Sequence, residues 1–231
     1  MAGPAIRGAA GGTTLSRRLY ELADGDPGRP AVLAADGVLD YAELAARASR
    51  LARLLIDRGA GPGAGVAVRL DRGPDPVPVI WAVLVAGAAV LPMCSAAVMP
   101  VCPAGPPGPF ARAGVTAGAA VRPDWLVLDD PIVVGGLAGR SPRPVTHAAR
   151  IRPLCGADPA VVADGICWSF DELAVRADRV AATAGTAITP GILAAGPECE
   201  LRWAERDIAG RAVAVAEIVA AASVGATLVV M

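Results

Sequence analysis

A single histidine is the first candidate for chemistry in this chain of 231 residues. His147 could act as a general base, with Asp129 or a cysteine as its partner, because an imidazole titrates near neutral pH. The alternative is a surface position in the segment Arg140–Pro153, which is rich in proline and arginine. We favour the surface position, because no second catalytic group lies near His147 in the sequence.

The five cysteines offer a second candidate chemistry, nucleophilic catalysis. None has a base beside it in the sequence, so we expect small, buried, apolar side chains. Cys94 and Cys102 flank a proline-rich loop and are the two whose reactivity we would test first. The odd number, the irregular spacing and the lack of a CxxC pair argue against a disulfide framework or a zinc site. We therefore expect no bound metal.

A short stretch from Thr183 to Gly191 has the glycines and hydroxyl side chains of a phosphate-binding loop. Thr183, Gly185 and Thr186 could offer hydroxyls and backbone N–H groups to an anion. The alternative, which we favour, is that the stretch is the end of a helix and a turn. The sequence therefore predicts no cofactor.

An aromatic residue between arginines is the candidate for an interaction site. Trp203 lies close to Arg202 and Arg206, and this composition is typical of interface hot spots. The alternative is a tryptophan that covers the edge of a core. Other partners are excluded by composition: a net charge of −1 and 3% aromatic residues are unlike a nucleic-acid-binding surface.

A long uncharged stretch, Pro76–Ala111, raises the question of a membrane span. Prolines interrupt it, and the continuous piece Val79–Leu91 would form a helix of only about 20 Å, against a hydrocarbon core of about 30 Å. We expect a buried helix that runs into a buried strand, and no membrane partner. The N-terminus has no apolar run typical of a signal peptide, which predicts a cytoplasmic protein.

Two segments that resemble each other must position these residues. Pro30–Ala52 and Pro159–Ala181 align when one gap is allowed on each side. The matched pairs are Asp36 with Asp164, Gly37 with Gly165, Glu43 with Glu172, Leu44 with Leu173, Arg47 with Arg176, and Arg50 with Arg179. We call these segments the first and the second copy.

Each copy has the pattern of a hairpin followed by an amphipathic helix. In the first, Asp40 is the expected N-cap, Glu43 can reach back to it, and Leu39 is the expected hydrophobic staple. In the second, Ser169 and Glu172 form a capping box, and Trp168 replaces Leu39. The predicted apolar stripes, each packed against a sheet, are Leu44, Ala48, Leu51 and Leu55, and Leu173, Ala177, Val180 and Ala184.

Strands that alternate with amphipathic helices predict an α/β fold with a doubly wound, largely parallel sheet or sheets, in two similar βαβ-type units. The predicted organisation is a flexible segment at 1–28, a first unit at 29–140, a linker at 141–158 and a shorter second unit at 159–231.

The chain resembles the opening of an adenylation domain of nonribosomal peptide synthetases, within the superfamily of adenylate-forming enzymes. Three elements carry the resemblance: Leu39–Leu70, Ala82–Met93 and Trp125–Pro131. The segment from Pro159 onward resembles the same opening again. In this family a glycine-rich loop that ends in lysine holds the ATP phosphates, and a second lysine completes adenylation.

The departures from the family determine the predicted function. All 21 basic residues are arginines, the chain has no lysine, and we expect it to end before the catalytic regions are complete. Adenylyl transfer depends on positioned positive charge. The resemblance therefore predicts a noncatalytic relative with a structural or protein-binding role in a nonribosomal peptide pathway, as a homodimer or bound to a peptide synthetase domain.

Two alternatives remain open at this point. One is an enzyme of unrelated chemistry that uses a cleft between the two units, because such clefts often hold ligands. The other is a nucleotide-binding or small-molecule-binding module that lacks adenylation activity. Fold alone does not decide among these three, because function depends on the site.

Overall fold

The structure is a computed structural model in which two four-stranded sheets are packed together with helices. It describes residues 11–34, 37–69, 76–93, 131–146, 154–163, 166–183, 187–188 and 208–229. The helices are α1 (Gly11–Gly25), α2 (Tyr41–Asp57), α3 (Pro76–Ala86), α4 (Pro131–Ala138), α5 (Phe170–Thr183) and α6 (Ile208–Val224). The strands are β1 (Pro30–Ala34), β2 (Gly37–Asp40), β3 (Gly65–Arg69), β4 (Ala89–Met93), β5 (Pro159–Ala163), β6 (Ile166–Ser169), β7 (Ala187–Ile188) and β8 (Thr227–Val229).

The two sheets have the same strand arrangement. Their orders are β2-β1-β8-β7 and β6-β5-β4-β3. In each sheet the outer hairpin is antiparallel and the other strand pairs are parallel. The predicted α/β class with largely parallel strands is therefore confirmed.

Each sheet combines strands from both copies. The hairpin β1–β2 of the first copy pairs with β8, where Val32 lies opposite Leu228. The hairpin β5–β6 of the second copy pairs with β4, where Val90 lies opposite Val161. Each copy thus completes the sheet of the other, and the unit boundaries at 29–140 and 159–231 do not separate two sheets.

The two hairpins share one register. Ala34 pairs with Gly37 in the first, and Ala163 pairs with Ile166 in the second. Both hairpins also contain an irregularity at the same place, near their first residue. Gly37 is therefore equivalent to Ile166 and not to Gly165, so the gaps that the sequence comparison needed are absent from the hairpins.

The stripe of α2 is buried as predicted, but its main neighbours differ. Leu44, Ala48 and Leu51 are buried, and Leu55 is half-buried. They pack chiefly against α3 and α1 and only marginally against strands, because α3 lies between α2 and the strands β3 and β4. The prediction that this stripe packs directly on a sheet is wrong.

The central helices are the most apolar ones. From Val77 to Ala86, α3 is almost completely buried, and it leads through a tight turn into the buried start of β4. This confirms the predicted buried helix followed by a buried strand. The helix α6 contacts strands of both sheets, so the core lies between them. None of the described helices is long and apolar enough to cross a membrane.

The N-terminal segment differs from the prediction. A flexible segment was expected over 1–28, but Gly11–Gly25 form helix α1, in which Leu15 and Leu19 are buried. This helix contacts α2, α5 and α6, and therefore joins elements of both copies. Its apolar face is interrupted by arginines, which is why composition alone did not reveal it.

Candidate functional site

The starts of α2 and α5 are fixed by side-chain caps. Ser169 Oγ accepts from Glu172 N (3.2 Å), and Glu172 Oε2 accepts from Ser169 N (2.8 Å), so the predicted capping box is present. Asp40 Oδ1 accepts from Glu43 N (2.7 Å), which confirms the predicted N-cap. The Glu43 carboxylate instead accepts two hydrogen bonds from Arg47, one turn later, so the expected reach back to Asp40 is wrong.

A tyrosine at the start of α2 connects the two halves. Tyr41 Oη donates to the carbonyl oxygen of Ala226 over 2.7 Å, and the Tyr41 side chain is buried. Burial raises the pKa of Tyr41 above its ordinary value, and the nearby Arg29 only partly opposes this effect. The phenol is therefore a neutral structural donor. Sequence reasoning missed it, although a tyrosine that leads an apolar helix face was the available signal.

The described cysteines lack the features of a nucleophile. Cys167 lies exposed on β6, and partial burial together with the charge of Glu172 raises the pKa of its thiol. A raised pKa keeps the thiol protonated, and the thiolate is the reactive form. On the inner side of the same strand, the guanidinium of Arg176 lies 4.2 Å from the ring centre of Trp168, which buries the predicted staple.

The candidate site residues fall almost entirely outside the described part of the chain. Thr183 is the last residue of α5, and the strand β7 follows at Ala187–Ile188, paired in parallel with β8. The other candidates lie outside the described residues: His147, Asp129, Cys94, Cys102, Gly185, Thr186, Trp203, Arg202 and Arg206. Their predicted roles stay predictions.

The charged side chains that are described take part in structural contacts. Arg18 Nη1 on α1 donates to Asp178 Oδ1 on α5 over 2.7 Å, a contact between the two copies. Among the described residues, no group of three His, Cys, Asp or Glu side chains could hold a metal ion. The described geometry thus serves packing and docking between the two copies.

The chain is similar to proteins that activate carboxylic acids as adenylates. Residues 19–97, about a third of the chain, match the family described as AMP-binding enzyme. Novobiocin biosynthesis protein H of Streptomyces niveus is 49% identical over 67 residues, which are 29% of this chain and 11% of that protein. Tyrocidine synthase 3 of Brevibacillus parabrevis is 40% identical over 80 residues, which are 35% of this chain and 1% of that protein.

Solved structures show the same fold over nearly the whole chain. The nonribosomal peptide synthetase FmoA3, bound to alpha-methyl-L-serine-AMP, has a TM-score of 0.64 at 21% identity and covers 99% of this chain, which spans 24% of FmoA3. The N-terminal subdomain of NpsA from Klebsiella oxytoca has a TM-score of 0.58 at 17% identity, and this chain covers 53% of it. The fold is consistent with the N-terminal subdomain of adenylate-forming enzymes.

These similarities confirm the resemblance that the elements Leu39–Leu70 and Ala82–Met93 predicted. The chain contains an AMP-binding segment similar to the adenylation domains of nonribosomal peptide synthetases. It spans only 11% and 1% of the length of the two relatives described above. The third predicted element, Trp125–Pro131, lies outside the family match.

Proposed function

We propose that this chain is a noncatalytic relative of adenylation domains, with a structural or protein-binding role in a nonribosomal peptide pathway. The observation that carries the proposal is the absence of lysine from all 231 residues, in a chain whose fold belongs with enzymes that bind ATP. Adenylyl transfer needs positive charge placed against the phosphates. The two lysines that the resemblance implies have no counterpart here.

The described arginines do not compensate for this loss. Arg47 pairs with Glu43 within α2, Arg176 covers Trp168, and Arg18 pairs with Asp178. A guanidinium that already serves packing or an ion pair is unavailable to hold a triphosphate without a structural cost. This supports a chain whose basic residues maintain shape.

The partner that we propose is a peptide synthetase domain or a second copy of this chain. Trp203, Arg202 and Arg206 are the residues that we propose for the contact, because tryptophan and arginine are enriched at interface hot spots. The test is size-exclusion chromatography with light scattering of the purified full chain, alone and with purified synthetase domains of the same strain. Trp203→Ala should reduce association, whereas Val175→Ala, on the exposed side of α5, should leave it unchanged.

The same sample distinguishes the proposal from a nucleotide-binding module. Isothermal titration with ATP and with AMP should give no saturable heat, because no ammonium group is present to hold the phosphates. Saturable binding of either nucleotide would replace the proposed role by nucleotide binding. A monomer that associates with none of the synthetase domains would contradict the protein-binding role itself.

A further inference from the structure

The segment that leaves α4 is bound to the first copy and does not run free as a linker. We call residues Arg140–Val145 the strap. The guanidinium of Arg53, on α2, donates to three strap carbonyls: Nη1 to Ser141 O (3.2 Å) and Arg143 O (2.8 Å), and Nη2 to Pro144 O (3.1 Å). One side chain therefore binds the backbone of a short segment distant in sequence.

Both ends of the strap are also held. Arg140 Nη1 forms an ion pair with Asp57 Oδ2 at the end of α2. At the other end, Val145 N donates to Tyr20 Oη over 3.3 Å, and Tyr20 Oη shares a hydrogen bond with Ser49 Oγ (3.0 Å). The side chain of Val145 is only 8% exposed.

The groove that receives the strap consists of Tyr20 on α1 and Ser49, Arg53 and Asp57 on α2. The side chains of Pro142 and Pro144 are exposed. Arg53 contacts the strap through backbone carbonyls, and a proline keeps its carbonyl while lacking an N–H donor. Proline also restricts the backbone before binding, which lowers the entropy that docking costs. These features together define the chemistry that the groove recognises.

We propose that this groove is a binding site for a proline-rich peptide that carries an arginine at one end and a β-branched anchor at the other. The strap is its internal ligand, and a segment of the same kind on a partner protein can displace it. This site is independent of the adenylation resemblance, because it needs no nucleotide and no second copy. Failure of the proposed function would therefore leave it untouched.

The internal position of the strap sets how the site responds. A ligand tethered by a short connection experiences an effective concentration of about millimolar or higher, so a free peptide must compete against it. A partner that presents its segment from a docked domain has the same advantage as the strap. The groove would thus bind in response to docking and remain closed otherwise.

The test uses the full chain with Val145→Asp, which removes the buried anchor of the strap and leaves the four groove residues intact. The probe is a fluorescent peptide with the sequence of residues 140–146, Arg-Ser-Pro-Arg-Pro-Val-Thr. Fluorescence anisotropy should show saturable binding to this variant, and binding about tenfold weaker to the unmodified chain, whose strap competes. Adding Arg53→Ala should weaken binding by about tenfold or more, because a charged donor to three carbonyls is lost.

The matched control is Arg47→Ala in the same Val145→Asp background. Arg47 lies on the same helix, is exposed and pairs with Glu43, so its loss should not change peptide binding. If Arg53→Ala and Arg47→Ala have equal effects, or if the Val145→Asp chain shows no saturable binding, the proposal is wrong.

A second measurement applies where Val145→Asp prevents folding. Hydrogen exchange of the unmodified chain reports directly on the amide of Val145, which donates to Tyr20. Millimolar peptide should accelerate exchange at this amide while the amides of β1 remain protected. Unchanged exchange at Val145 under saturating peptide would overturn the proposal.

Discussion

Tyr41 and Phe170 occupy equivalent positions at the start of α2 and α5, but only Tyr41 carries a hydroxyl that joins the two copies. Both rings are buried, and both backbone N–H groups donate to a carbonyl just before their own hairpin, that of Arg29 or Asp158. The Tyr41 hydroxyl donates to Ala226, beside β8. The exchange of hairpins between the copies is thus fastened by a side chain in one sheet alone.

The first prediction concerns this hydrogen bond. Tyr41→Phe should lower the free energy of unfolding by about 1–2 kcal/mol, because the buried Ala226 carbonyl loses its donor while the ring is kept. Tyr41→Ala should cost about 3–5 kcal/mol, because it also leaves a cavity. Chemical denaturation of the full chain measures both values. A Tyr41→Phe protein as stable as the unmodified chain would show that the hydrogen bond does not fasten the sheets.

The second prediction concerns alkaline pH. Burial raises the pKa of Tyr41 above its ordinary value of 10.0, so the folded chain holds this proton more tightly than the unfolded chain does. The resulting stability is complete below about pH 10 and is lost as the pH rises toward the folded-state pKa. Denaturation measured from pH 8 to pH 11 should show this decline.

The control for the alkaline decline is Tyr41→Phe, which should flatten it. The chain suits this measurement because it has no lysine to titrate in the same range. An equally steep decline in Tyr41→Phe would assign the effect to other groups.

The third prediction concerns the helix caps. Ser169→Ala and Asp40→Ala should each destabilise the chain by about 1 kcal/mol, because each leaves a first-turn N–H without its acceptor. Val175→Ala, on the exposed face of α5, should stay within about 0.5 kcal/mol of the unmodified chain. Thermal and chemical unfolding would compare the three, and equal effects at all three positions would rule out a capping role.

The fourth prediction compares two glycines with similar backbones. Gly59 and Gly87 both have positive φ, +93° and +85°, which any L side chain adopts at a cost of about 1 kcal/mol. A Cβ at Gly59 meets open space, but one at Gly87 lies 3.3 Å from both Leu154 and Pro62. Gly87→Ala should therefore cost at least about 1 kcal/mol more than Gly59→Ala in chemical denaturation. Equal costs would mean that Leu154 does not pack closely at this turn.

Local structure was predictable from the sequence because its signals are local. The capping box at Ser169, the N-cap at Asp40 and the buried α3 all follow from residues within one or two turns of a helix. The helix at Pro131 was also expected from the Asp129-Asp130-Pro131 pattern, and α4 begins there. These features depend on hydrogen bonds and burial within one element.

The assembly of the sheets was not predictable, because it depends on contacts between distant residues. Nothing near β1 indicates that its parallel neighbour is β8 and not β4, since both strands are short and apolar. The docking of the strap on Arg53 is equally hidden, because backbone carbonyls leave no trace in the sequence. The candidate site residues await a test, since nearly all of them lie beyond the described part of the chain.

The central claim, that this chain does not adenylate, is tested most directly by substrate-dependent exchange of labelled pyrophosphate into ATP. The purified full chain would be assayed with each proteinogenic amino acid and with aryl acids, beside an active adenylation domain as the positive control. The account predicts exchange no greater than in the absence of substrate for every acid. Exchange that depends on one acid and scales with protein concentration would contradict it.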